Sequence, residues 1–310
     1  MEKRIREIMG IFPENLTMLL RKGLDGIWGN LEEIRLRVNR PLIIGTSGGN
    51  FAILKDGSLS PALGGAYIVS DSDIRQVFYN LCENSVYAYE EEIRQGYITV
   101  KGGHRAGFCG KAVVRDGRTE TIRDINAVNI RVAKEWIGCG SEYINDIMQN
   151  GRVMNTLVVS PPGCGKTTLL RDLTRLISNS GMKVSVVDER GEIGACYCSV
   201  PQNDLGVQTD IIEDAPKKEA IPIMLRSMSP QVIICDEIAT ESDVKSIKKC
   251  FGSGVAVIAS AHSGSVEEAK SNPLLKGLFG GNGFRKIIFL ARNDESVSKR
   301  VVGEVIGVDR

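Results

Sequence analysis

Apolar residues are spaced differently in the two halves of the chain. In the first half they follow short periods. EEIRLRV (32–38) alternates polar and apolar positions, which is the period of a strand with one face buried. The pairs Gly48-Gly49, Asp56-Gly57 and Asp116-Gly117 punctuate such runs as turns. SDSDIRQVFYNLCEN (70–84) opens on cap residues and then places Ile74, Val77, Phe78 and Leu81 at helical intervals. These signals predict a smaller α+β N-terminal domain over residues 1–135. The glycine-bearing stretch AKEWIGCGSEY (133–143) marks a junction, and the linker is set at 136–150.

From residue 151 to 310 the rhythm becomes strand then helix. NTLVVS (155–160), KVSVVDE (183–189), QVIICDE (231–237), GVAVIASAH (254–262) and RKIIFLAR (285–292) are Val/Ile-rich and do not alternate. Strands buried on both faces read this way. Helical spacing fills TTLLRDLTRLISNSG (167–181), with a glycine positioned to end the helix, and ESDVKSIKKCFGSG (241–254). The expectation is an α/β domain with a mainly parallel sheet and helices on both faces.

Composition narrows the function class. Lys+Arg 39 against Asp+Glu 38 leaves a net charge of +1, so no global field draws the chain to nucleic acid or anionic lipid. No apolar run reaches the roughly 18 residues a spanning helix needs, so no transmembrane segment is expected. The start, MEKRIREIMGIFPEN, is charged and lacks the apolar core of a signal peptide, which implies a cytoplasmic protein. Eight cysteines are scattered without a C-x-x-C pair, beside only two histidines. They are read as free thiols in a reducing compartment, and no zinc site is expected.

The chemistry concentrates in VVSPPGCGKTTLLRD (158–172). Between a predicted strand and a predicted helix lies Ser160-Pro161-Pro162-Gly163-Cys164-Gly165-Lys166-Thr167-Thr168, the phosphate-loop pattern with serine in place of its first glycine. Gly163 and Gly165 let backbone N–H groups curl toward phosphate oxygens, and the helix N-terminus adds partial positive charge. Lys166 brings a full charge to the β- and γ-phosphates, and Thr167 offers its hydroxyl to Mg²⁺. Ser160 sits where the turn starts, and Pro161-Pro162 stiffen it, so the mechanism survives the substitution.

Two strands end in acids. QVIICDEI delivers Asp236, expected to hold Mg²⁺, and Glu237, expected to polarise an attacking water. VSVVDERGEI delivers Asp188, Glu189, Arg190 and Glu192 to what should be the same sheet edge. Asp188 is thereby a further candidate Mg²⁺ ligand and Glu189 a second candidate base. An acid about 20 residues past a Gly-rich loop could instead contact a ribose, but this loop carries GKT rather than G-x-G-x-x-G. ASAH places His262 past another strand end, in reach of a γ-phosphate, and MLRSMSPQV places Arg226 before the acid strand as a candidate to act in trans. In the first half, Arg105 of KGGHRAGFCG and Arg131 of NIRVAK are candidates to reach a nucleotide.

RLRVNRPL, GYITVKGGHRAGFCG, NIRVAK, SPPGCGKTTLLRDLTR, VVDERGEI, LRSMSPQVIICDEI and ASAH, in this order over about residues 32–262, together resemble the stage III sporulation protein AA family. That family is in turn similar to the hexameric ATPases of type II and type IV secretion. The resemblance implies a RecA-like P-loop NTPase domain, with ATP and Mg²⁺ as cofactors. It also implies a homo-hexameric motor in the mother cell, acting with membrane proteins of the channel to the forespore. Three departures stand out. Ile238-Ala239-Thr240 follows the acids where secretion ATPases commonly carry Ile-Arg-Gly. Glycine is expected where Ala239 stands. The chain ends soon after the last strand candidates, which leaves no room for an added C-terminal domain. Two other classes stay open: a RecA-like ATPase acting on single-stranded nucleic acid, which would need a local basic groove, and a scaffold that binds ATP without hydrolysis.

Overall fold

Alternation in the first third of the chain produces an antiparallel sheet. The computed structural model describes residues 7–293 and 300–307, so the first six residues of the charged start lie outside the described residues. The chain divides into two units: one runs to Lys134 and includes Tyr197–Gln202, and the other holds Glu135–Cys196 and the chain from Asn203 onward.

In the first unit β1 (Leu31–Arg37), β2 (Ile43–Thr46), β3 (Gly49–Ile53), β4 (Leu59–Ser60), β5 (Tyr97–Val100), β6 (His104–Arg115) and β7 (Arg118–Arg131) form one sheet in the order β4-β3-β2-β1-β7-β6-β5. Leu31, Ile34 and Leu36 of β1 point inward, joined by Ala106 and Phe108 of β6 and Val128 and Ile130 of β7. Removing a side chain such as Ile34 from water contributes about 1.5–3 kcal/mol. The β6–β7 hairpin turns at Asp116 and Gly117, with φ of 50° and 74°; a two-residue primed turn needs both angles positive. Helices α1 (Glu14–Gly23), α2 (Asp71–Leu81) and α3 (Glu90–Gln95) bury Leu16, Leu20, Ile74, Val77, Leu81 and Ile93 in the same core. The predicted helix at 70–84 is α2. Ser70 accepts from Asp73 N–H, and the Asp73 carboxylate accepts from Ser70 N–H, a reciprocal cap.

In the second unit a short helix α4 (Ile144–Ile147) and the hairpin β8 (Met148–Gln149) and β9 (Arg152–Val153) precede the main sheet. That sheet contains β10 (Thr156–Ser160), β11 (Val184–Asp188), β12 (Thr209–Glu213), β13 (Val232–Glu237), β14 (Ala256–His262), β15 (Lys286–Asn293) and β16 (Arg300–Gly307). Their order is β12-β11-β13-β14-β10-β15-β16, all pairs parallel except β15–β16. Leu157 and Val159 belong to the core on one face, and Val158 between them to the core on the other. This is why the strand is buried at every position. Helix α5 (Lys166–Asn179) covers one face, burying Leu169, Leu170, Leu173 and Ile177. Helices α6 (Lys217–Ser227) and α7 (Glu241–Ser253) cover the other with Ala220, Ile221, Met224, Ile247 and Cys250. The last helix is α8 (Val266–Ser271).

The structure corrects two expectations. Residues 136–150 do not form a linker: Tyr143 and Ile147 are buried in the core of the second unit. Their apolar spacing is too short to read as helix, and burial comes from packing against α5. The chain between 189 and 231 carries β12 and α6, neither of which the pattern predicts.

Candidate functional site

Parallel strands bring their C-terminal ends to one edge, and the chemistry-bearing residues gather there. Ser160 of β10 is in register with His262 of β14, and Glu237 of β13 with Ser260 of β14. Past β10 the chain turns through Gly163 and Gly165, with φ of 73° and 83°, a backbone region that disfavours any side chain. Helix α5 then begins at Lys166 with no side-chain cap and no acid in its first turn, so its leading N–H groups are left for an anion. By contrast, Thr240 and Asp243 cap α7 reciprocally. This places Thr240 of the departing Ile238-Ala239-Thr240 run in a helix start.

Lys166 is buried, and its Nζ lies 2.9 Å from Nδ1 of His262, 3.2 Å from Oγ of Ser160 and 3.3 Å from the Ser160 carbonyl. Burial lowers its pKa below the ordinary lysine value, and the Glu237 carboxylate opposes that in part. The serine standing for the first glycine is fully buried and donates to the Pro161 carbonyl at 2.7 Å. Nδ1 of His262 meets the lysine, and its Nε2 faces Glu237 Oε2 at 3.4 Å. Three candidates, Lys166, His262 and Glu237, are therefore joined in a line. Cys164 is buried behind the loop, Pro162 and Gly163 are exposed on it, and Pro161, Thr167 and Thr168 are half-buried. Thr167 Oγ1 lies 3.5 Å from Glu192 Oε2.

Arg190 ties the two acids of β13 together. Its backbone N–H donates to Asp236 Oδ2 at 3.1 Å, and its guanidinium lies 3.0 Å from Glu237 Oε2. Asp236 is buried and ion-pairs with Lys217, which also reaches Glu189 Oε2 at 2.8 Å. Burial pushes the Asp236 carboxyl above the usual carboxylate range, and Lys217 pulls it back in part. On Lys217 burial works against the charge, but Asp236 and Glu189 outweigh it and raise the pKa above the lysine norm.

Asp188 is placed differently from expectation. It is fully buried and accepts three backbone N–H bonds, from Glu192 at 2.9 Å, Ile193 at 2.9 Å and Gly194 at 2.8 Å. Burial pushes its pKa to about 6, against the pull of those amides. Its oxygens turn the loop rather than face a cation. Thr167 and Asp236 supply hard oxygen donors that suit Mg²⁺, which needs only one or two protein ligands beside phosphate oxygens. Among the described residues no group of three or more His, Cys, Asp or Glu is disposed to hold a metal without such help.

Arg226 is not gathered with these groups. Arg226 is exposed in the last turn of α6, nine positions after Lys217 and so about 14 Å along the axis. It precedes β13 and lies at the sheet edge opposite the phosphate loop of its own chain. Arg105 and Arg131 belong to the first unit, opposite each other on β6 and β7, with Glu33 opposite Arg131 on β1. The Arg105 guanidinium lies 4.2 Å from the centroid of Tyr97. Lys217 was missed by sequence reading. Ala220, Ile221 and Met224 at helical spacing were its signal, obscured by Pro222 in mid-helix.

The chain resembles two solved structures: the pilus retraction motor PilT with bound ADP (TM-score 0.60, 15% identity, 90% of this chain and 80% of that one) and the ATPase DotB of Legionella pneumophila (TM-score 0.57, 14% identity, 90% and 77%). At such identities the likeness establishes the fold, a RecA-like P-loop domain after an α+β domain. The stage III sporulation protein AA of Bacillus subtilis (strain 168) is 34% identical over 293 residues, covering 93% of this chain and 91% of that protein. The family described as sporulation stage III, protein AA matches residues 2–308. The chain belongs to the stage III sporulation protein AA family.

Proposed function

We propose that this protein hydrolyses ATP as a homo-hexameric ring in the cytoplasm of the mother cell. Its partners would be membrane proteins of the channel to the forespore, with no nucleic acid involved. The observation that carries the reading is the line Lys166–His262–Glu237 at the mouth of an uncapped helix. ATP is the substrate; Ser160 to Thr168 wrap its phosphates, and Lys166 moves from His262 and Ser160 onto the β- and γ-oxygens. Thr167 and Asp236 would hold Mg²⁺, which would supply positive charge beside those oxygens. Glu237 accepts a proton from the attacking water, and His262, released from Lys166, donates from its ring to the γ-phosphate. Arginines from a neighbouring copy complete the charge balance, with Arg226, Arg105 and Arg131 as the candidates. Among the described residues no helix is long and apolar enough to cross a membrane, which suits a motor that docks on membrane partners.

The test is ATP turnover per subunit against protein concentration, with Lys166→Ala as the blank. A specific rate that climbs with concentration supports sites completed between subunits. Turnover no higher than the blank at every concentration, alone and with membranes carrying the channel proteins, rejects the enzyme.

A further inference from the structure

Lys217 is costly where it stands. It is the first residue of α6, where the helix dipole presents positive charge, and its side chain is only 3% exposed. Either circumstance disfavours a cation, and both act on this one. What offsets them is a pair of carboxylates from two other strand ends: Glu189, past β11, at 2.8 Å, and Asp236 of β13 in direct ion-pair contact. Asp236 has its other oxygen on the Arg190 N–H. Both of its oxygens are therefore assigned, and its plane is fixed. Glu237 next door is contacted instead by the Arg190 guanidinium, 57% exposed, and by His262, 41% exposed.

We propose that Lys217 is a positioning residue for ATP hydrolysis. Clamped between Glu189 and Asp236, its ammonium fixes Asp236 for an outer-sphere hold on Mg²⁺, withdraws Glu189 from the water, and leaves Glu237 as the acting carboxylate. The inference rests on the ATPase reading above. Truncating the clamp unpairs two acids at once. Their freed oxygens then compete to bind Mg²⁺ directly, displacing the ion from the geometry the phosphates need. Outer-shell partners of this kind typically contribute about 10–100-fold.

The experiment uses the full chain as wild type, Lys217→Met, Glu189→Gln and Glu237→Gln. It measures kcat, KM for ATP, the Mg²⁺ concentration giving half-maximal rate, and the affinity for a fluorescent ATP analogue with and without Mg²⁺. Lys217→Met is expected to lose about 10–100-fold in kcat. Its half-saturating Mg²⁺ should fall several-fold, and its analogue affinity should become more dependent on Mg²⁺, while KM for ATP changes little. A role confined to folding would leave the Mg²⁺ dependence where it was. Glu189→Gln leaves Lys217 on Asp236 alone and frees no carboxylate, so it should keep the Mg²⁺ dependence near wild type with a smaller loss of rate. Glu237→Gln should instead stop turnover.

A folded Lys217→Met protein with wild-type kcat and Mg²⁺ dependence overturns the inference. If Lys217→Met fails to fold, Glu189→Gln decides: stalling as completely as Glu237→Gln, with nucleotide still bound, would make Glu189 the base and overturn it equally. Wild type that never exceeds the Lys166→Ala blank removes the ATPase reading itself, which is a different result from an active wild type with an indifferent Lys217→Met.

Discussion

Nδ1 of His262 lies 2.9 Å from Nζ of Lys166, with the other ring nitrogen turned to Glu237. The lysine proposed to bind phosphate is thus in contact with a histidine that also meets the candidate base. When Lys166 leaves for a phosphate, the histidine loses its partner and becomes free to rotate. On this account His262→Ala should lower kcat by about tenfold or more while KM for ATP moves little, as for a group whose interaction is made only in the transition state. Steady-state kinetics on the full chain checks it. A raised KM with unchanged kcat would make His262 a ground-state contact instead.

Glu237→Gln keeps the shape of the side chain and removes its basicity. ATP should stay bound while turnover drops by about 10²-fold or more, the usual contribution of a general base. Filter retention of radiolabelled ATP, read beside phosphate release, separates binding from chemistry.

Asp188 satisfies three amides with two oxygens. In Asp188→Asn, one oxygen becomes an NH₂ that confronts N–H donors. Leaving such groups unpaired should cost about 1–3 kcal/mol. For a unit of this size each kcal/mol lowers the melting temperature by about 2–4 °C. Because Arg190 sits in the loop that Asp188 turns, nucleotide turnover should fall with the same substitution. A melting temperature equal to wild type would show that the loop holds without this carboxylate.

Asp172, 3% exposed, accepts from Gly138 N–H at 2.9 Å and Gly140 N–H at 2.7 Å and pairs with Arg175. Asp172→Ala should free residues 136–140 and let the backbone beside the already exposed Trp136 and Ile137 enter a protease. Limited proteolysis read by mass spectrometry should find new cuts there, with melting lowered by a few degrees.

The buried parallel strands were legible because burial on both faces leaves an unmistakable apolar run, as in TLVVS, VSVVD and VIICD. The phosphate loop was legible because its glycines and lysine answer to a fixed backbone geometry. Two things were hidden. Strand β12 is only half-buried at every position, so TDIIE carries no periodic contrast. Helix α6 carries Pro222 in its interior, which reads as a break, so Lys217 looked like a loop lysine. Asp188 and Asp236 also look alike in sequence, each the first acid after an apolar strand run. Only the fold separates them, since one meets backbone amides and the other an ammonium.

Asp172 lies six positions after Lys166 on the same helix, about 9 Å along its axis. One end of α5 therefore carries the phosphate-binding ammonium, and its middle grips the strap at Gly138 and Gly140. One continuous helix thus ties the segment at Gly138 and Gly140 to the residue at the mouth of the candidate site, so the two are held at a fixed separation.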